Sequence, residues 1–194
     1  MTGIQTICVF CGSSMPVDSG IAEAAERLGR LTAEAGLRLV YGGGGIGLMG
    51  IVARAAIAAG GQVVGVIPNF LKTREVGLAE GAALETVETM HARKTRMFEL
   101  SDAFVVLPGG LGTLDETIEI VTWRQLGLHD KPILLVDHGG YWRPLLGLID
   151  HAVGAGFARP DSRRLFSVVS SVDEVHPALA RVPAPGGAGR PERL

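Results

Sequence analysis

The strongest constraint on this chain is an alternation. Short, mostly apolar runs at 4–10, 37–41, 62–68, 103–108, 132–137 and 166–170 alternate with longer segments of helical spacing at 20–36, 48–60, 90–102, 113–127, 142–156 and 172–182. A strand buried on both faces reads as a continuous apolar run, and strands that alternate with helices form a parallel sheet covered on both sides. The expected class is therefore a doubly wound α/β fold, in which ligands bind beyond the carboxyl ends of the strands. Segment 69–88 fits neither period and is left unassigned. Residues 1–182 are expected to form one domain, and the Pro/Gly-rich stretch 183–194 a disordered tail.

Composition narrows the function classes. Of 194 residues, 47% are hydrophobic and the net charge is −2, with no basic run, so nucleic acid and membrane surfaces are poor partners. No stretch approaches the roughly 20 apolar residues of a membrane span. The start, "MTGIQTICVF", lacks the basic region of a signal peptide, and two cysteines make no disulfide framework; both point to a cytoplasmic location.

Three glycine-rich turns fall at expected strand ends: "CGSS" (11–14), "GGGGIGLMG" (42–50) and "PGGLGT" (108–113). A helix that starts behind such a turn offers free N–H groups and a positive dipole end, which suits phosphate. Gly12, Ser13, Gly44 and Gly45 are candidate cleft-lining residues on this ground. The second turn matches G-x-G-x-x-G twice, at Gly42-Gly44-Gly47 and Gly45-Gly47-Gly50. A dinucleotide site also wants an acid at the end of the next strand, where this chain has Asn69. No Gly-Lys-Ser/Thr and no G-x-S-x-G occurs, and the five histidines have no metal spacing, so no metal and no cofactor are expected. Cys8 and Cys11 are spaced C-x-x-C, but with Cys8 inside a strand they read as a buried thiol and a turn thiol.

In "TMHARKTRMFEL", Met90, Met97 and Leu100 mark a core-facing stripe, and Arg93 lies on or beside it. Arginine is rarely buried without a partner. Arg93 either makes a structural ion pair or reaches the strand-end cleft to meet a carboxylate or phosphate.

"PGGLGTLDE" and "MHARK" match the P-G-G-x-G-T-x-x-E and M-H-x-R-K motifs of the LOG ("lonely guy") family of cytokinin riboside 5′-monophosphate phosphoribohydrolases. "CVFCGSS", "YGGGGIGLMG" and "TWRQLGLHDKPI" also resemble that family, in order, and the resemblance covers roughly residues 4 to 180. Such chains have often carried the label "lysine decarboxylase". Here Lys72, Lys94 and Lys131 are the only lysines, and none has a recognisable pyridoxal-phosphate setting.

The resemblance implies a Rossmann-like homodimer that hydrolyses the N-glycosidic bond of an adenine-type nucleoside 5′-monophosphate to free base and ribose 5-phosphate. By motif position, Arg93 and Glu116 match the family's catalytic pair. Lys94, Gly110, Leu111, Gly112, Thr113, Leu114 and Asp115 match its substrate-binding residues, together with Arg93 and Glu116. Glu75 falls where the family has a substrate-binding Glu. Ala92 stands where plant members often have Glu, so a role for that side chain is absent.

These residues suggest a chemistry. Amides at Gly110, Gly112 and Thr113 would hold the 5′-phosphate, with the Thr113 hydroxyl as a further donor. Cleavage passes through an oxocarbenium-like ribose, so a carboxylate is needed to stabilise it, to activate water or to attack C1′. Glu116 shares a helix face with Thr113, whereas Asp115 is turned about 100° away. Thr113-x-x-Glu116 could instead be a capping box. Two rival classes are a non-catalytic nucleotide carrier on the same fold and an NAD(P)-dependent enzyme. Segment 113–127 is apolar on more than one side (Leu114, Ile118 and Val121; Ile120, Trp123 and Leu126), which places it near a dimer interface.

Overall fold

A computed structural model describes residues 3–71 and 80–181. Seven strands form one sheet: β1 (Thr6–Phe10), β2 (Arg38–Tyr41), β3 (Val63–Pro68), β4 (Ala83–Val87), β5 (Ala103–Val106), β6 (Ile133–Val136) and β7 (Ser167–Val169). Six helices alternate with them: α1 (Ser19–Glu34), α2 (Gly47–Ala58), α3 (Met90–Leu100), α4 (Leu111–Gln125), α5 (Arg143–Gly154) and α6 (Val175–Arg181). Every pairing is parallel and the order is β4-β3-β2-β1-β5-β6-β7. This is the doubly wound, Rossmann-like α/β fold expected of the sequence.

The period of two along each strand sorts the core into two layers. Ile7, Val9, Leu39, Tyr41, Val105, Leu134 and Val136 pack with α1, α2 and α6. Cys8, Phe10, Val40, Phe104, Val106, Ile133 and Leu135 pack with α3, α4 and α5 on the opposite face. The chain leaves β1 toward β2 on one side and later returns to place β5 on the other. The loops after β1 and β5 therefore part at their carboxyl ends, which creates the crevice where such folds bind ligands.

Four details depart from the sequence reading. Within the unassigned stretch 69–88, residues Ala83–Val87 form β4, an edge strand paired only with β3 and half exposed, so its sequence "ALETV" never had to become continuously apolar. Helix α4 begins at Leu111 with Gly110 as its N-cap, so Thr113 is the third helical residue and a capping box onto Glu116 cannot form. The stretch 172–182 is a 3₁₀ turn, Val172–Glu174, followed by α6; the Pro177 ring would collide with the Asp173 carbonyl in a continuous α-helix. Met90 is exposed, so the buried stripe of α3 is Arg93, Met97 and Phe98.

Candidate active site

The cleft at the switch point holds about 270 Å³. The turn after β1 supplies Cys11, Gly12, Ser13 and Ser14; β2 and α2 add Gly42 and Met49; α3 adds Arg93; and Gly110, Leu111, Gly112, Thr113 and Glu116 form the remaining wall.

That wall is the start of α4. The first intrahelical bond runs from the Leu114 amide to the Gly110 carbonyl at 3.0 Å. The amides of Leu111, Gly112 and Thr113 precede it and have no helical acceptor, as at any helix start. Here they border an open cleft. Thr113 is buried, and its carbonyl accepts the Thr117 hydroxyl at 2.6 Å.

Arg93 is 6% exposed yet fully engaged. Thr89 caps α3 by accepting the Ala92 amide at 3.0 Å, and this fixes the helix that carries the arginine. Arg93 Nε donates to the Val66 carbonyl at 3.2 Å and Nη2 to the Gly42 carbonyl at 2.9 Å, so the ends of β3 and β2 both hold the guanidinium. A Cβ at Gly42 would overlap Nη2, which explains the glycine there. The third nitrogen, Nη1, lies 3.8 Å from Glu116 Oε1, an ion-pair distance too long for a hydrogen bond.

Glu116 is 8% exposed. Burial pushes its carboxyl up to about 7; Arg93 and Lys94 pull it down, while Asp115 and Glu119 push it up. A carboxyl poised there can exchange a proton near neutral pH. Its neighbour Asp115 points to the rim, where Lys94 lies 3.1 Å from both Asp115 and Glu119. Leu114 packs into the sheet-facing core. Lys94, Asp115 and Leu114 are therefore beside the cleft rather than in its lining, and Glu75 lies outside the described residues.

The second glycine-rich turn behaves differently. Gly44 and Gly45 are buried and do not reach the cleft; Gly42 and Met49 do. The Leu48 and Met49 amides, at the start of α2, both donate to the Gly12 carbonyl, at 3.0 and 3.3 Å. The Gly45 carbonyl accepts from Arg54 at 2.8 Å. With the Leu48 and Met49 amides spent on backbone, this helix start lacks the row of open amides that a pyrophosphate needs, so the fingerprint match reflects packing. Cys8 and Cys11 are free and buried, and burial holds both thiols up in their protonated form.

Of the two described lysines, neither lines the cleft: Lys94 sits at its rim. Lys131 stacks on the Phe98 ring, 3.8 Å from its centroid, and donates to the Phe98 carbonyl at 2.7 Å. Among the described residues no cluster of His, Cys, Asp or Glu is arranged to hold a metal ion, and no helix is long and apolar enough to cross a membrane.

Residues 49–179 match a family described as "Possible lysine decarboxylase". The chain is 44% identical to the cytokinin riboside 5′-monophosphate phosphoribohydrolase LOG3 of Arabidopsis thaliana, over 92% of this chain and 86% of that one. It is also 44% identical to the probable enzyme of the same name, LOGL2, of Oryza sativa subsp. japonica, over 88% of this chain and 70% of that one. The chain belongs to the LOG family. A solved molybdenum cofactor carrier protein from Chlamydomonas reinhardtii shares the fold, with a TM-score of 0.69 and 21% identity over 92% of this chain and 97% of that one.

In LOG-family terms, the two motifs meet in space. M-H-x-R-K contributes Arg93 from α3, P-G-G-x-G-T-x-x-E contributes Glu116 from α4, and their charged ends face one cleft. Sequence reasoning missed Gly42, Met49 and Tyr141. Gly42 acts through its carbonyl and Met49 as cleft lining, while the Tyr141 hydroxyl donates to the Gly109 carbonyl at 2.7 Å. No spacing rule flags a backbone acceptor. The residues "GGYW" offered only a turn followed by an aromatic pair.

Proposed function

We propose that this chain hydrolyses the N-glycosidic bond of cytokinin-type nucleoside 5′-monophosphates, releasing the free base and ribose 5-phosphate. The observation that carries the reading is a buried carboxylate, Glu116, held beside a buried guanidinium, Arg93, one helical turn from the open amides of α4. The names of the family's curated members support the substrate class.

In this reading the amides of Gly110, Leu111, Gly112 and Thr113 hold the 5′-phosphate. The anion sits at the positive end of the α4 dipole. The ribose then lies over Glu116. As the C1′–N bond lengthens, positive charge develops on the ribose and the carboxylate stabilises it; water adds to C1′, and the base departs with the bonding electron pair and takes up a proton. Glu116 receives the proton that the water gives up. Arg93, charged at all working pH values, orients Glu116 and lowers the cost of ionising it. Lys94 and Asp115 flank this core at the rim, and the substrate-binding roles of Leu114 and Glu75 rest on the motif match alone. The carrier reading has no comparable support: open amides alone would hold a nucleotide, but a carrier has no use for a buried ionisable carboxylate at C1′.

We also read the protein as a homodimer with α4 near the interface, because Leu111 (85% exposed), Ile118 and Leu126 leave that helix with uncovered apolar surface. Sedimentation showing a monomer at micromolar concentration overturns this. The activity is tested by incubation with AMP and with N6-isopentenyl-AMP, followed by chromatography of the products. Free base and ribose 5-phosphate are expected, with adenosine a much poorer substrate because the phosphate contributes binding energy that positions the ribose. Equal kcat/KM for AMP and adenosine would sink the phosphate assignment, and binding without product would sink catalysis.

A further inference from the structure

One polar contact at the cleft edge is unaccounted for by this chemistry. Tyr141 is exposed, yet its hydroxyl reaches across to the neighbouring loop and donates to the Gly109 carbonyl at 2.7 Å. The turn that delivers it is heavily built. The Asp137 carboxylate, at the end of β6, accepts the Trp142 amide at 2.6 Å, and the Asp137 amide donates to the Val169 carbonyl at 2.8 Å. Trp142 is buried in the core, and the Tyr141 ring meets it edge to face at 5.0 Å between centroids. The tyrosine is thereby anchored at its root and aimed at its tip.

Its target is not an arbitrary carbonyl. Gly109 C=O and Gly110 N–H belong to one planar trans peptide, so they point in opposite directions. Tyr141 stands with Pro108 and Gly109 in the hollow adjoining the cleft, whereas Gly110 also lines the cleft itself. Holding the carbonyl toward the hollow turns the amide toward the cleft. Among the described residues that amide has no acceptor. The preceding carbonyl, of Pro108, is likewise occupied, by the Gly12 amide at 3.1 Å. The carbonyls of these two consecutive peptides before α4 are therefore both held, one by the β1 loop and one by Tyr141.

We propose that Tyr141 is a positioning residue for the phosphate site: by holding the Gly109 carbonyl it keeps the Gly110 amide aimed at the anion. This rests on the phosphate reading given above. Tyr141 touches no reacting atom. Its contribution is preorganisation, since an untethered Gly109–Gly110 peptide could rotate and would have to be reordered on binding.

The test uses the full chain and Tyr141→Phe, which keeps the ring against Trp142 and removes only the donor. Calorimetric titration with ribose 5-phosphate probes the anion site, and titration with adenine probes the cleft without phosphate. The expected result is a Kd for ribose 5-phosphate raised about fivefold, the size of one neutral hydrogen bond, with the Kd for adenine unchanged. Unchanged binding of ribose 5-phosphate overturns the proposal, and so does equal weakening for both ligands, which would mark Tyr141 as a staple between loops. A parent protein that does not bind ribose 5-phosphate at all overturns the phosphate reading itself, and the Tyr141 proposal with it.

Discussion

Two of the three glycine-rich turns run directly into a helix, and they have opposite fates. At α2 the turn is closed: the Leu48 and Met49 amides are spent on the Gly12 carbonyl, and Gly47 is pressed against the Ser13 backbone at φ 60°. At α4 the turn is open: Gly110 and Gly112 have no heavy atom within 4 Å of where a Cβ would stand, and the amides border the cleft. The same residue type thus serves tight packing in one place and ligand access in the other. What separates them is whether the neighbouring loop comes down onto the helix start. The β1 loop lies over α2, and it stands away from α4 because β1 and β5 meet at the switch point.

The largest effect should come from the open start. Glu116→Gln preserves shape and removes the ionisable oxygen. If the open turn holds the phosphate so that the N-glycosidic bond lies over a catalytic carboxylate, kcat falls by about 10²–10⁴ with folding intact, as for loss of a general base, while AMP still binds. Turnover of AMP within a few-fold of the parent would reduce α4 to a binding element and erase the functional half of the contrast. The capping explanation for Glu116 is already gone, since Gly110 and not Thr113 caps the helix.

The closed start should show itself in stability. Gly47→Ala places a methyl against the Ser13 backbone at a φ that L side chains rarely adopt. Backbone cannot swing aside as a flexible side chain would, so the cost is about 3 kcal/mol, combining left-handed strain with overpacking. Chemical denaturation measures it. A loss below about 0.5 kcal/mol, within the range of neutral surface changes, would show that the turn is looser than its contacts imply.

These outcomes bear on what a sequence can disclose. The alternation of apolar runs with helical segments was sufficient for the fold, because burial on both sheet faces leaves a signal in every central strand. It missed β4, which is an edge and bears no such signal. The motifs singled out Arg93 and Glu116, whose side chains the fold brings to one cleft. They did not separate Gly42, which lines the cleft, from Gly44 and Gly45, which do not. A glycine is chosen for what surrounds it, and its surroundings are set by loops distant in the chain. Tyr141 was invisible for the same reason: its partner is a carbonyl, which every residue has.

A functional site also leaves a thermodynamic mark that the closed turn lacks. Burial holds the Glu116 carboxyl near 7 in the folded chain, against 4.5 for the free side chain. Between those values the folded state keeps a proton that the unfolded state has released, so stability falls as pH rises through that window. Glu116→Gln abolishes this dependence. Urea unfolding of parent and variant at pH 5 and pH 8 should show the variant gaining on the order of 2 kcal/mol relative to the parent at the higher pH. Parallel pH profiles would mean that Glu116 is ionised at little cost, and that Arg93 compensates it more fully than 3.8 Å suggests.

The smallest effect on folding belongs to Gly112→Ala, and it is the sharpest test of the contrast. Gly112 is the second residue of α4, has no positive φ, and faces open space. Alanine is the better helix former, by up to about 1 kcal/mol in a helix interior and less near an end. The variant should therefore melt at or slightly above the parent temperature, opposite in sign to Gly47→Ala. The added methyl, however, enters the cleft where the anion is to lie. Affinity for ribose 5-phosphate should fall about tenfold, or about 1.4 kcal/mol. A stable variant with weakened binding means that Gly112 is kept for the ligand, at the expense of the helix. A stable variant with parent-like affinity would mean that the open amides of α4 are not the phosphate site, and that the anion meets the cleft elsewhere, against Arg93 or Lys94.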